Sequence, residues 1–511
     1  MKKLLPLLML LAGMIFLPSP AQADPEDIAA ASRSVVRVVL VAREGERVFF
    51  VGHGSGVMIA PDKILTNAHV IEPVREDQSI VIGIIPSQGR KSYGGKLLSF
   101  SPANDLAVIQ LQNGRLPPAT IYSAKPADGA SVVAIGYPAS VDRAQGLQIN
   151  DLITPMAPVK TPGVISGGRT SREMDTLLHT APIASGNSGG PLVDPCGRVV
   201  GINSFGSLSD GNDAEFGFAV SAREIMQFAR NANIRPRTTS AACRSAAELS
   251  REEEKRRSAE LQRQAEIDRT ANAEKQQARQ NAERQADVEI MTSRENHMAL
   301  AALLLAIATL SAGTGGILFE RGKRNPAIAA TGGALLLLTG AITAFVIRPG
   351  LAEREDRIAA ILAENAPAQN NLALSFNGKN VCKLNTDRSR ITVSELPQIE
   401  LQWDDNGCIN GRTQYGREGA RWSRIFVPNS EQTVSINSFD PQKGEYRTER
   451  YLLGIDAMGA ARGIRRRYSS KACTMDADKL TELEDMQKVL RQALPAHPNE
   501  VLVYECQSAS D

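Results

Sequence analysis

Short runs of β-branched and aliphatic residues recur along the first half of the chain, at 34–41, 79–85, 95–100, 106–111, 131–136, 176–180, 199–203 and 216–220. Their spacing, with little helical periodicity between them, predicts an all-β barrel or sandwich. Residues 49–51 and 57–59 read as one strand broken by Gly52, Gly54 and Gly56, a bend where a barrel curls or a peptide approaches. Residues 222–231 read as a closing helix that turns Ile225, Met226 and Phe228 to the barrel. The pattern then changes. Residues 246–297 hold no Pro or Gly and carry acid–base pairs four apart, such as Glu252–Arg256 and Glu253–Arg257. They predict one helix of about 75 Å at 1.5 Å per residue. Its apolar stripe, Ala278, Ala282, Ala286 and Ile290, is thin. The plain reading is a solvated stalk; the sharper one is a coiled coil that makes the protein a homo-oligomer. No sustained heptad of large apolar residues is present, which favours the stalk.

Residues 298–319 and 327–347 are uncharged, apolar and each long enough to span a bilayer. The loop between them, 320–326, carries Arg321, Lys323 and Arg324, which puts it on the cytoplasmic side and makes a transmembrane hairpin. Alternation returns over 372–511, with strands expected at 391–401, 433–439, 446–453 and 501–504 and an amphipathic helix at 478–494, a small β-rich α+β domain.

Composition refines this picture. A chain of 511 residues accommodates two or three domains, and a formal charge of +2 gives no reason to expect nucleic acid as a partner. Residues 1–23 have a basic start, an apolar stretch and Ala21-Gln22-Ala23, the pattern of a cleaved signal peptide. Export places the mature chain in an oxidising space, where cysteines pair. Cys382, Cys408, Cys473 and Cys506 then suggest two disulfides with the pairing open; Cys196 and Cys243 form either a bridge or two free thiols.

The chemistry centres on Ser188, in the run Gly186-Asn187-Ser188-Gly189-Gly190. A serine hydroxyl is a weak nucleophile and needs a base that a third group orients. Upstream, His69 follows a β-type run in Leu65-Thr66-Asn67-Ala68-His69-Val70, and Asp105 opens another in Asn104-Asp105-Leu106-Ala107-Val108-Ile109. The same serine run fits Gly-x-Ser-x-Gly, but that nucleophile elbow requires a helix after the serine and a histidine later in the chain. Residues 199–203 read as strand, and the later histidines, His297 and His497, lie at a membrane edge and in the tail.

The three blocks resemble the trypsin-like (chymotrypsin-fold) serine endopeptidases, most closely the bacterial HtrA/Deg-type enzymes of the cell envelope, over residues 34–230. The resemblance implies two six-stranded barrels with the site in the cleft between them. It implies Ser188 as nucleophile, His69 as base and Asp105 as its orienter, with the N–H groups of Gly186 and Ser188 as the oxyanion hole. It calls for no cofactor and no metal. Pro182 stands six residues before Ser188, where trypsin carries a pocket carboxylate, and Ile183 and Ala184 beside it are apolar. With Asn203 and Phe205 as the other wall, these residues predict a pocket for small or medium aliphatic side chains. His53 falls outside the motif and reads as a partly exposed loop residue. One departure is large: the PDZ domains usual in HtrA enzymes are replaced by stalk, hairpin and cysteine-bearing domain.

The expected organisation is a signal peptide (1–23), a protease domain (24–235), a helical stalk (246–297), two transmembrane helices (298–319 and 327–347) around a cytoplasmic loop (320–326), and an exported C-terminal domain (372–511). The expected function is an inner-membrane-anchored periplasmic serine endopeptidase acting on polypeptides. The alternative is a non-catalytic binding scaffold on a protease fold.

Overall fold

The computed structural model describes residues 24–44, 47–170, 174–207, 215–348, 350, 354–365, 377–393, 396–419, 421–468 and 472–508; the signal-peptide expectation lies outside them. The chain divides into two units. One holds the β-rich N-terminal half together with residues 373–511, and the other runs from 254 to 372.

In the first unit, helix α1 (Pro25–Ser32) leads into strands β1 (Val35–Glu44), β2 (Arg47–Ala60), β3 (Lys63–Thr66), β4 (Ile80–Pro86), β5 (Tyr93–Ser101) and β6 (Leu106–Leu111). These close into a barrel in the order β1-β2-β3-β6-β5-β4. Helix α2 (Ala68–Ile71) follows β3. The second barrel uses β8 (Ser131–Gly136), β9 (Val159–Thr170), β10 (Asp175–His179), β11 (Pro191–Val193), β12 (Val199–Gly206) and β13 (Gly217–Ser221), and the β11–β12 pairing closes it. Strands β7 (Thr120–Tyr122) and β14 (Arg237–Thr239) extend it beyond β12. Helix α3 (Ala139–Ala144) follows β8, and α4 (Ala222–Asn231) follows β13. Ile225 and Phe228 of α4 join a core shared by both barrels and Ile28 of α1, with Met226 partly buried against it.

The glycine-broken strand is continuous. β2 runs unbroken for 14 residues because its glycines relieve crowding. A Cβ on Gly54 would stand 2.6 Å from Val70, and one on Gly56 2.6 Å from Ile64.

In the C-terminal part of this unit, β15 (Gly378–Leu384), β16 (Gln398–Asp404), β17 (Cys408–Ile409), β18 (Thr413–Gln414), β19 (Gly416–Glu418), β20 (Arg421–Phe426), β21 (Thr433–Asp440), β22 (Glu445–Leu452) and β23 (Glu500–Ser508) form one antiparallel sheet in the order β18-β17-β16-β15-β23-β22-β21-β20-β19. The strand expected at 391–401 is displaced to β16, because residues at 390–393 are held by a single bridge to β23, Arg390 to Val501, and by the N–H groups of Thr392 and Val393 donating to Glu500 Oε1.

Helix α5 (Ala246–Glu320) joins the units. The stalk and first span, expected as separate segments, form this single 75-residue helix: nothing between them carries a helix-breaking proline. Within the second unit, α6 (Arg324–Val346) packs back against the apolar end of α5, where a Cβ on Gly315 would meet Thr331 at 2.9 Å. Both helices are long and apolar enough to cross a membrane. Helix α7 (Arg354–Glu364) lays Ile358 and Ile361 on Ala282 and Ala286, so part of the thin stripe on the stalk is covered by the same chain. Helices α8 (Ile455–Arg465) and α9 (Ala477–Gln492) belong to the C-terminal sheet domain. The disulfides are Cys196–Cys243, Cys382–Cys506 and Cys408–Cys473.

Candidate active site

Three connections between barrel strands converge where the barrels meet. After β3, Asn67 stands at the N-cap position of α2, with no side-chain bond into the helix, and leaves His69 in its first turn. Before β6, a short 3₁₀ turn ends at Asp105 in the left-handed region, φ 49°, a conformation that Asp tolerates better than most residues. Asn67 Nδ2 donates to the Asp105 carbonyl at 2.8 Å and links the two segments. The Asp105 carboxylate then accepts from the His69 backbone N–H at 3.1 Å and lies 2.9 Å and 3.0 Å from His69 Nδ1. Burial works to raise this carboxyl, but hydrogen bonds from His69 and Ser204 outweigh it and hold it below the usual carboxylate range. Nδ1 therefore carries the hydrogen and Nε2 is left as the basic nitrogen.

Ser188 comes from the second barrel, in the turn before β11. Gly189 and Gly190 dock this turn on neighbouring backbone: Gly189 N–H donates to Asn203 O at 2.8 Å and Asn203 N–H to Gly190 O at 2.9 Å. A Cβ on Gly189 would stand 2.1 Å from Ser55 O. Gly186 adopts φ 98°. Among the described residues neither its N–H nor that of Ser188 has an acceptor, so two donors stand free beside the Ser188 hydroxyl. Ser188 Oγ donates to Ser204 O at 2.9 Å.

Ser55 and Ser204 carry no signal in the sequence that marks them for this site. Ser55 N–H donates to Ser188 O at 2.8 Å, and its hydroxyl donates to Gly186 O at 2.7 Å while accepting from Tyr137 N–H at 3.0 Å. Ser204 Oγ donates to Asp105 Oδ2, fastening the second barrel to the carboxylate of the first. Both roles follow from strand register, which no local pattern states.

The expected pocket residues separate. Pro182 and Ala184 are exposed, Ile183 is half-buried against the second barrel's core, and Phe205 is 45% exposed and stacked on Phe218 at 4.7 Å. Asn203 is fully buried and donates from Nδ2 to Gly190 O at 3.1 Å, so its side chain braces the nucleophile turn. His179 is buried near it, and burial pushes its imidazole down to about 4, leaving it neutral at ordinary pH. His53, expected in a partly exposed loop, lies within β2 with its side chain 7% exposed, because the strand runs unbroken past Gly52. Among the described residues no group of His, Cys, Asp and Glu could hold a metal ion.

Residues 54–202 match the family model of the trypsin-like peptidase domain. Over 210 residues the chain is 31% identical to serine protease Rv3671c of Mycobacterium tuberculosis, covering 41% of this chain and 48% of that protein. It is 31% identical over 188 residues to the periplasmic serine endoprotease DegP of Escherichia coli, 35% of this chain and 36% of DegP. The chain thus spans about half the length, or less, of these relatives. The crystal structure of the active form of the Rv3671c protease aligns over 45% of this chain and 98% of its own at 25% identity, with a TM-score of 0.33.

Proposed function

We propose that this chain, whose residues 54–202 form a trypsin-like peptidase domain, is a membrane-anchored serine endopeptidase that works in the periplasm. The observation that carries the reading is the His69–Asp105 pair, at 2.9 Å, on the first barrel, with Ser188 on the second barrel in a turn whose Gly186 and Ser188 N–H groups are unengaged. In the reaction, Ser188 Oγ turns from Ser204 O to His69 Nε2 and attacks the substrate carbonyl. His69 takes the hydroxyl proton and then gives it to the departing amine, while Asp105 stabilises the imidazolium. The developing oxyanion is met by the N–H groups of Gly186 and Ser188. Water hydrolyses the acyl-enzyme with His69 again as base. No cofactor takes part. Pro182, Ile183 and Ala184 opposite Asn203 and Phe205 would receive small or medium aliphatic side chains.

The anchor is the pair α5 and α6, with the basic loop 320–326 in the cytoplasm and both flanks outside it. A removed signal peptide at 1–23 agrees with that topology, as does a periplasmic relative. The scaffold reading has one observation on its side, the Ser188 hydroxyl engaged by Ser204 O rather than by His69.

A fluorophosphonate probe separates the two. The folded wild-type protein is expected to be labelled at Ser188 and to cleave after Val or Ala faster than after Arg, with Ser188→Ala inert in both assays. A folded wild type that takes no label favours the scaffold. Rapid cleavage after Arg alone would leave the enzyme standing and remove the aliphatic pocket.

A further inference from the structure

His53 serves neither the triad nor the oxyanion hole directly, yet it is buried two residues before Ser55 on the same strand. Its Nε2 lies 3.0 Å from Tyr137 O, an acceptor, so the neutral ring carries its hydrogen on Nε2 and donates it there. Tyr137 is thereby held at both ends of its backbone, by His53 at the carbonyl and by Ser55 Oγ at the N–H, 3.0 Å away. This matters because Tyr137 O backs directly onto Gly186. It lies 2.3 Å from the place a Cβ on Gly186 would occupy, with His53 Nε2 at 2.9 Å and Ala139 N at 3.0 Å. Ala139 N–H also donates to Ser185 O at 2.8 Å. The wall behind the nucleophile turn is therefore residues 137–139, and His53 is its pin. A free carbonyl so close to Gly186 would be the acceptor that competes for the N–H the oxyanion needs.

The groups around His53 are charged. Asp142 of α3 presents Oδ2 at 3.4 Å from Nε2, and its Oδ1 accepts from Arg37 Nη2 of β1 at 2.9 Å. The Arg37 guanidinium lies 4.7 Å over the Tyr137 ring, and Phe50 of β2 flanks the imidazole with centroids 6.0 Å apart.

We propose that His53 is a positioning residue for the oxyanion hole: its Nε2–H holds Tyr137 O away from Gly186 N–H. The inference rests on the endopeptidase reading. Burial pushes the imidazole below its ordinary value, helped by Arg37 and opposed by the Tyr137 carbonyl and Asp142. The group is therefore neutral in the folded protein at pH 7, and the Nε2–H donor to Tyr137 O is present whether or not Nδ1 carries a proton.

The test uses the full-length protein in detergent and the rate constant for inactivation by a fluorophosphonate, whose phosphoryl oxygen occupies the oxyanion hole. His53→Leu is expected to lower the maximal inactivation rate about tenfold or more with the half-saturating probe concentration unchanged. His53→Gln, which keeps an N–H donor, is expected to recover the rate to within about threefold of wild type. Equal rates for wild type and His53→Leu overturn the proposal, as does equal impairment of Leu and Gln, which would mean a packing role. If His53→Leu does not fold, His53→Asn, whose amide reaches only the Nδ1 position, takes its place: a rate equal to that of His53→Gln overturns the proposal. A folded wild type that takes no label at any pH overturns the endopeptidase reading underneath.

Discussion

Gly186 shows how little freedom single residues have at this site. Its φ of 98° lies in the region that side chains avoid, and the space a Cβ would need is taken by Tyr137 O. Gly186→Ala is therefore expected to displace its own peptide and lower the labelling rate of Ser188 by about a hundredfold or more, as loss of an oxyanion donor does. A melting curve within a few degrees of wild type would assign that loss to the hole rather than to unfolding. Asp105 presents the converse case. Its backbone is also left-handed, but asparagine tolerates that conformation, so Asp105→Asn is expected to keep the fold and lose the charge, at a cost of roughly 10⁴ in kcat. A rate within tenfold of wild type would mean that the carboxylate does not orient His69. The sequence singles out His69, Asp105 and Ser188 because each stands in a distinctive local run. It does not single out Ser55 and Ser204. Their partners lie 131 and 99 residues away, and only the closed barrels bring them together.

Elements with a single periodicity were legible: β6, β8 and α4 fall where alternation or helical spacing puts them. Those missed include β7, β11 and β14, three residues each and made by pairing, and also the 12-residue β9, where Pro162, Gly163, Gly167 and Gly168 interrupt the β-type run. The stalk and first span merged because hydropathy changes along α5 while helix propensity does not. Cysteine pairing was illegible for a related reason, since spacing does not say which strands adjoin. Cys382 and Cys506 face each other across β15 and β23, a register that appears only in the sheet. Cys196 lies in the β11–β12 turn, which is also shaped by Asp194: Oδ1 accepts from the N–H groups of Cys196 and Arg198 at 3.0 Å and 2.9 Å, and Oδ2 from Arg198 Nε at 2.8 Å. The turn thus has its own support, and the bridge to Cys243 chiefly fastens the segment after β14. Cys243→Ser with Cys196→Ser is expected to cost up to about 4 kcal/mol of stability, by the entropy of the loop released, and to leave the Ser188 labelling rate unchanged. A fall in that rate at temperatures well below melting would show that the bridge also shapes the nucleophile turn.

At the scale of the whole molecule, the first unit is tied together where the chain leaves it and returns. Leu249, early in α5, packs with Val501 and Val503 of β23, and Arg390 Nε donates to Arg244 O at 2.7 Å. The places where the chain leaves this unit and returns to it are thus adjacent. At the same place Arg390 pairs with Asp27 of α1, both all but inaccessible, and Asn499 Nδ2 donates to Asp27 Oδ1 at 2.8 Å. One knot therefore binds the start of the barrel domain, the point of return and the last strand. Burial pushes the Asp27 carboxyl up to about 6, although Arg390 and Asn499 pull it down. Because the folded value exceeds the unfolded one near 3.8, this group favours the fold in acid, and the contribution is lost as pH rises through about 6. Removing the arginine sharpens that dependence. Arg390→Ala leaves a carboxylate buried without its cation, which is expected to cost about 3–5 kcal/mol at pH 8. At pH 5 the carboxyl takes up a proton and only the neutral hydrogen bonds of Arg390 are missing, so the penalty should shrink. Adding Asp27→Asn should restore much of the loss at pH 8 and little at pH 5. Thermal unfolding of the three proteins at both pH values reads this directly. A penalty for Arg390→Ala that is the same at pH 5 and pH 8 would mean that the arginine acts through its bonds to backbone carbonyls, and that the charge of Asp27 has no part in holding the two domains together.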